Sequence, residues 1–255
     1  MFLRVLRSVS LAFGMFSKLP APKTAWTRDN MRYMMCCFPL VGAVIGLFTY
    51  AWISLCAALG FAATLRAAGL TALPVLVTGG IHLDGLCDVA DALASNAGPE
   101  KRRAILKDPR AGAFAVVWCC VYIVTYFALC CELRLDSAGV LCLCAVFALS
   151  RALSGLCVVV LPGAPEGGLA ASFASAARPR SSAAVLTAEA GICAAVMIAA
   201  SPARAGAALL CAGLCVLLLN RVARRKFGAM SGDLAGWFLQ LCELAALAAL
   251  TLVSG

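Results

Sequence analysis

Seven apolar runs divide the chain, at about residues 33–60, 68–83, 111–131, 138–161, 182–200, 203–219 and 234–254, each bounded by charge, glycine or proline. Most approach the roughly 20 residues that a helix needs to cross a bilayer's hydrocarbon core. One soluble core does not hide seven such segments in 255 residues. Composition agrees: 63% of residues are hydrophobic and 13% charged, against about 45–50% and 25% in a soluble domain. The expected fold class is therefore all-α, a polytopic membrane helical bundle of about seven transmembrane helices with short cytoplasmic or interfacial helices. Residues 1–255 read as a single integral membrane domain. The second run is the weakest, being short and interrupted by Pro74. Residues 1–20 carry Arg4 and Arg7 before a short apolar stretch, without a small-residue cleavage site. They read as a short interfacial or re-entrant helix retained in the chain.

The formal charge of +9 suggests nucleic acid until its distribution is followed. With seven spans, segments 1–32, 84–110, 162–181 and 220–233 share one side. They hold 17 of the 21 basic residues, while Arg66, Arg134 and Arg204 lie opposite and Arg151 falls inside a span. The positive-inside rule places the N-terminus and these loops in the cytoplasm. The charge is then topogenic and no nucleic acid is required. Asp84, Asp88, Asp91, Asp108, Glu166 and Asp233 sort to the same side.

Fifteen cysteines fall mostly inside apolar runs, with no C-x-x-C pair and one histidine in the chain. They read as small buried hydrophobes rather than zinc ligands or disulfides.

The densest chemistry is Thr78-Gly79-Gly80-Ile81-His82-Leu83-Asp84-Gly85-Leu86-Cys87-Asp88-Val89-Ala90-Asp91. Asp84, Asp88 and Asp91 fall within roughly 60° of one another on a helix. Three carboxylates on one stripe repel each other, and a divalent cation reverses that penalty. Mg²⁺ is commonly held by a few carboxylates together with substrate phosphates. A solvated acidic face is the plainer alternative. Gly79 and Gly80 permit close backbone approach beside the stripe. His82 either deprotonates a hydroxyl or orients an aspartate, or is a hydrogen-bonded structural group.

Lys101, Arg102 and Arg103 precede Lys107-Asp108-Pro109-Arg110-Ala111-Gly112. Lys107, Asp108 and Arg110 read as a phosphate-binding group, Arg102 and Arg103 as topogenic charge. Arg151 is a charge inside a span and faces a polar cavity or a partner; Glu189, also in a span, is its expected partner if the role is structural. Gly232 and Asp233 open the last span within Gly228-Ala229-Met230-Ser231-Gly232-Asp233-Leu234-Ala235-Gly236, suited to an anion or to capping. Glu243 lies roughly 15 Å further along that helix and is expected to line a deeper cavity. Glu166-Gly167-Gly168 adds weaker support.

These motifs, in this order, resemble the cobalamin synthase family, the adenosylcobinamide-GDP ribazoletransferases. Lys18-Leu19-Pro20-Ala21-Pro22 is similar to its early R-L-P-x-P, and Phe38-Pro39-Leu40-Val41-Gly42 matches F-P-L-[VI]-G. The stretch from Gly79 to Leu86 with Asp88 and Asp91 matches G-G-x-H-L-D-G-L-x-D-x-x-D. Lys107 to Gly112, Ser150-Arg151, and Gly232 to Gly236 with Glu243 fit the later motifs. The resemblance implies transfer from adenosylcobinamide-GDP to the 5′-hydroxyl of α-ribazole, or of its 5′-phosphate form, with release of GMP. Adenosylcobalamin or its 5′-phosphate is the expected product and Mg²⁺ the expected metal, held by Asp84, Asp88, Asp91 and Asp233. Lys107 and Arg110 would bind phosphate, with Gly79, Gly80, Asp108, Arg151, Gly232 and Glu243 also against substrate. His82 or one aspartate would take the acceptor's proton. The bilayer is the other expected partner, and an oligomer is compatible with the chain. Two other readings accommodate the aspartates or the intramembrane charges: another membrane Mg²⁺-dependent phospho-alcohol transferase, and a corrinoid or anion carrier.

Overall fold

A computed structural model describes residues 2–134, 136–163, 169–177 and 179–253. Among them are twelve α-helices and no β-strand. They are α1 (Phe2–Phe16), α2 (Arg28–Met31), α3 (Phe38–Leu59), α4 (Ala63–Thr78), α5 (Ile81–Ala94), α6 (Pro99–Ile105), α7 (Ala113–Glu132), α8 (Ser137–Val160), α9 (Leu169–Ala176), α10 (Pro179–Ala200), α11 (Pro202–Val222) and α12 (Gly232–Val253). A 3₁₀ turn, Met35–Cys37, leads into α3, and a π turn, Ala223–Phe227, extends α11. Prolines open α6 and α11, where a missing N–H costs nothing. Asp136 caps α8 by accepting a 2.8 Å bond from the Gly139 N–H.

Six helical segments, built on α3, α7, α8, α10, α11 and α12, are long and apolar enough to cross a membrane, and α4 with α5 would make a seventh if that bent pair is one span. Their large apolar side chains turn outward as well as inward: Val124 and Leu210 are each 66% exposed and Leu47 63% exposed. Such surfaces suit lipid as the solvent. Helices α8 and α12 are the most buried. Helix α8 packs against α3 and α10, and α12 against α11, α8 and α5.

The expected second span, 68–83, is where the chain departs from its sequence reading. Helix α4 ends at Thr78, and the chain turns by 92° into α5. At 16 residues α4 is about 24 Å long. The residues expected to finish the span instead start a separate helix, the one carrying the aspartates. The cause is local: Gly79 and Gly80 sit at φ +66° and +80°, where a Cβ is strained and α-helix cannot continue.

At the N-terminus, α1 buries Leu11, Ala12 and Phe16 against its neighbours, and Ser8 Oγ donates to the Asn30 carbonyl at 2.6 Å. All fifteen cysteines are free; six are buried, eight half-buried, and Cys120 is exposed. Their surroundings are thus less uniformly interior than expected.

Candidate active site

The site is built on the α4–α5 bend. Lys18 lies across it: a Cβ on Gly79 would stand 2.2 Å from Lys18 Cε, and the Lys18 N–H donates to the Val77 carbonyl at 2.8 Å. Beyond the bend, α5 crosses the start of α12 with a glycine on each side. A Cβ on Gly85 would stand 2.7 Å from the Asp233 carbonyl oxygen, and one on Gly236 3.1 Å from the His82 carbonyl oxygen. The two backbones approach this closely only because neither carries a side chain there. The crossing brings Asp84 and Asp233, almost 150 residues apart in sequence, to one place.

Both carboxylates border a cavity of about 280 Å³. His82, Gly232 and Gly236 line it too, and Phe16, Met35, Phe38, Phe173 and Leu239 supply apolar lining. A second cavity, about 490 Å³, opens against the same bend and is lined by Lys18, Gly79, Gly80, Asp84 and Cys87 among others. Asp84 therefore borders both.

Asp88 lies close enough to Asp84, Asp233 and Asp91 for all three to act on its charge. Neither Asp84 nor Asp88 is paired with a cationic side chain among the described residues. Asp91 faces elsewhere. Its two oxygens accept from the N–H groups of Gly112 at 2.6 Å and Ala115 at 2.9 Å, capping the first turn of α7. Among the described residues no group of three or more His, Cys, Asp or Glu side chains is gathered into a cage fit for a metal ion. The donor set fits Mg²⁺ bound in its usual partial way, by one or two carboxylates with water and substrate phosphate completing the shell.

The remaining expected site residues sort as follows. Lys107, Asp108 and Arg110 lie on the loop after α6 and line neither cavity. Arg110 forks onto Asp108 through Nε and Nη2, at 2.9 and 2.8 Å, and its side chain is 86% exposed. These bonds hold the Asp108 carboxyl down at about 2. Arg102 and Arg103 do more than mark topology. Arg102 donates to the carbonyls of Ala92 and Ser95 at 3.2 and 3.1 Å, and Arg103 to Phe227 at 2.7 Å, tying α6 to the end of α5 and to the π turn.

Arg151 is buried and ion-paired with Glu243 of α12, not with Glu189. Ser150 Oγ bridges the pair, donating to Glu243 Oε1 at 3.0 Å and accepting from Arg151 Nη1 at 3.0 Å. The pairing corrects two expectations. Glu243 is held against α8 and lines neither cavity described here, and Arg151 takes its partner from the helix that packs directly on α8. Glu189 remains half-buried on α10 with Oε2 unpartnered. Glu166-Gly167-Gly168 lies outside the described residues.

Sequence reasoning missed the aromatic lining, because Phe16, Phe38 and Phe173 come from three separate segments, an N-terminal helix, a span and an expected loop, with nothing in the sequence to join them. It also passed over Lys18 as a site residue and Gly85 as a contact. A glycine in mid-helix beside Asp84 was the available signal for the second.

The chain has clear relatives. The family profile described as cobalamin-5-phosphate synthase matches residues 8–251. A protein of Lachnoclostridium phytofermentans named adenosylcobinamide-GDP ribazoletransferase is 40% identical over 250 residues, covering 98% of this chain and 95% of that one. Proteins with the same name from Pseudomonas aeruginosa and Azorhizobium caulinodans are 36% and 33% identical. They cover 97% and 95% of this chain, and 98% and 94% of their own lengths. No solved structure matches it.

Proposed function

Because the chain belongs to the cobalamin-5-phosphate synthase family, we propose that it catalyses the reaction its relatives are named for, as a Mg²⁺-dependent adenosylcobinamide-GDP ribazoletransferase. The 5′-hydroxyl oxygen of α-ribazole, or of its 5′-phosphate, attacks the phosphorus that carries adenosylcobinamide. The bond from that phosphorus to the GMP oxygen breaks, and GMP leaves. The products are adenosylcobalamin, or its 5′-phosphate, and GMP. The protein sits in the bacterial inner membrane with its N-terminus and the α4–α5 bend toward the cytoplasm, where the basic loops lie.

The observation that carries this reading is the meeting of Asp84 and Asp233 at one cavity that aromatic side chains also line. A reaction joining an alcohol to a diphosphate needs carboxylates at the phosphate end and an apolar seat for the rest of the acceptor. Asp88 and one of Asp84 and Asp233 would hold Mg²⁺, with water and substrate phosphate completing the shell, and Asp91 shapes the stripe through its hold on α7. When bound, the ion neutralises diphosphate charge and stabilises the leaving phosphate. Asp84 or Asp233, at the cavity wall, receives the acceptor's hydroxyl proton. Lys18, at the second cavity, faces phosphate oxygens, and Lys107 and Arg110 reach the nucleotide from the neighbouring loop.

The test is turnover of liposome-reconstituted protein carrying Asp84→Asn, Asp88→Ala or Asp233→Asn. Each variant should accumulate in the membrane and lose at least about a hundredfold in turnover. Near-normal activity in Asp88→Ala would remove the metal assignment.

A further inference from the structure

The 280 Å³ cavity has an unfinished feature. His82 is 4% exposed and its Nε2 is buried with no hydrogen-bond partner. A buried ring nitrogen left unpaired is costly, and native structures rarely tolerate one without a role. Two phenylalanines stand against its ring, and a third packs on one of them. The Phe38 and Phe16 centroids lie 5.7 and 6.3 Å from that of His82, the Phe16 plane is inclined 27° to the imidazole, and Phe173 meets Phe16 edge-on at 6.2 Å. The lining is predominantly carbon, and Asp84 and Asp233 line the same cavity as His82.

We infer that this cavity seats the base of the acceptor: a flat, bicyclic, largely apolar heteroaromatic ring, held among Phe16, Phe38 and Phe173 and hydrogen-bonded to His82 Nε2. The inference deepens the transferase reading and rests on it. It gives His82 a positioning role in place of proton transfer. His82, Asp84 and Asp233 all line this cavity, so a nucleoside whose ring enters beside His82 has its ribose within the same space as the two carboxylates. The close approach of Gly236 to the His82 backbone fixes where that ring sits. The lining also sets specificity. A purine's amino and carbonyl groups would be left unpaired against phenylalanine rings, whereas a benzimidazole-type base offers an apolar body with a single ring nitrogen as acceptor.

The experiment uses full-length protein in lipid nanodiscs. Free 5,6-dimethylbenzimidazole should bind calorimetrically without donor or metal, and should inhibit competitively against the riboside acceptor but not against adenosylcobinamide-GDP. The corresponding adenine riboside should have an acceptor KM at least about tenfold higher. Phe173→Trp, which fills the cavity, and His82→Leu should raise acceptor KM about tenfold or more while moving donor KM less than about threefold, and His82→Gln should recover part of the loss. Equal use of adenine and benzimidazole ribosides, absence of competition by the free base, or loss of kcat in His82→Gln at unchanged acceptor KM would each overturn the assignment. The arms separate the two readings. Benzimidazole binding without GMP release under any condition overturns the transferase reading and keeps the ring site. GMP release without benzimidazole binding keeps the transferase and overturns the ring site.

Discussion

The carbonyl oxygen of Asp233 stands 2.7 Å from where a Cβ on Gly85 would be. That contact sets how closely α5 and α12 cross, and the crossing sets the placement of Asp84 beside Asp233. Backbone cannot step aside as a flexible side chain does. Gly85→Ala should therefore separate the two helices, destabilise the protein by about 1–3 kcal/mol and lower turnover at least about tenfold. Thermal unfolding and initial rates measured on one preparation check both effects. Wild-type rates in Gly85→Ala would show that the crossing has slack.

Asp88 and Asp91 should separate cleanly in their effects. Asp91 caps α7 with both oxygens, so Asp91→Ala should cost about 1–2 kcal/mol of stability, with Asp91→Asn losing less. Asp88 is surrounded by like charge from Asp84, Asp233 and Asp91. Asp88→Asn relieves repulsion, so in metal-free buffer its melting temperature should equal or exceed that of wild type while activity is lost. Melting curves with and without Mg²⁺ check this, because only the wild type should gain from the ion.

The Arg151–Glu243 pair is sealed between α8 and α12. Removing one partner leaves a charge buried, so Arg151→Met or Glu243→Leu alone should cost about 3–5 kcal/mol. The double replacement, which buries no charge, should cost clearly less than the sum of the two. A double-mutant cycle on unfolding in detergent measures the difference.

On the exposed loop, the fork from Arg110 holds the Asp108 carboxyl at about 2. A depressed carboxylate contributes fully above its ordinary range, near 4, and its contribution fades as pH falls through about 2. The fork is therefore constant from pH 5 to 9. Asp108→Asn should leave the shape of the pH–rate profile unchanged over that interval, and a shifted limb would contradict the pairing.

The sequence displays its spans well because each is an apolar run with charged, glycine or proline borders, and helices α3, α7, α8, α10, α11 and α12 each begin and end within about five residues of an expected run. The second is misplaced because hydropathy continues through Gly79 and Gly80 while the backbone turns there. The aspartate stripe was legible from helical spacing alone. Its division of labour was not, since Asp91 is taken by backbone N–H groups of a helix that begins 22 residues later. Arg151 and Glu189 looked like partners because depth in a membrane can be read from sequence, whereas the direction a side chain faces depends on which helix packs alongside. The phenylalanine wall was hidden for the same reason: three rings from α1, α3 and α9 meet only after the bundle closes.

The most direct measurement is the simultaneous appearance of GMP and corrinoid product from reconstituted protein given adenosylcobinamide-GDP, α-ribazole and Mg²⁺, repeated with EDTA and with Asp88→Ala. The proposed function predicts equimolar GMP and adenosylcobalamin, abolished by EDTA and by the substitution. GMP without corrinoid product, or equal yields in the presence of EDTA, would contradict it.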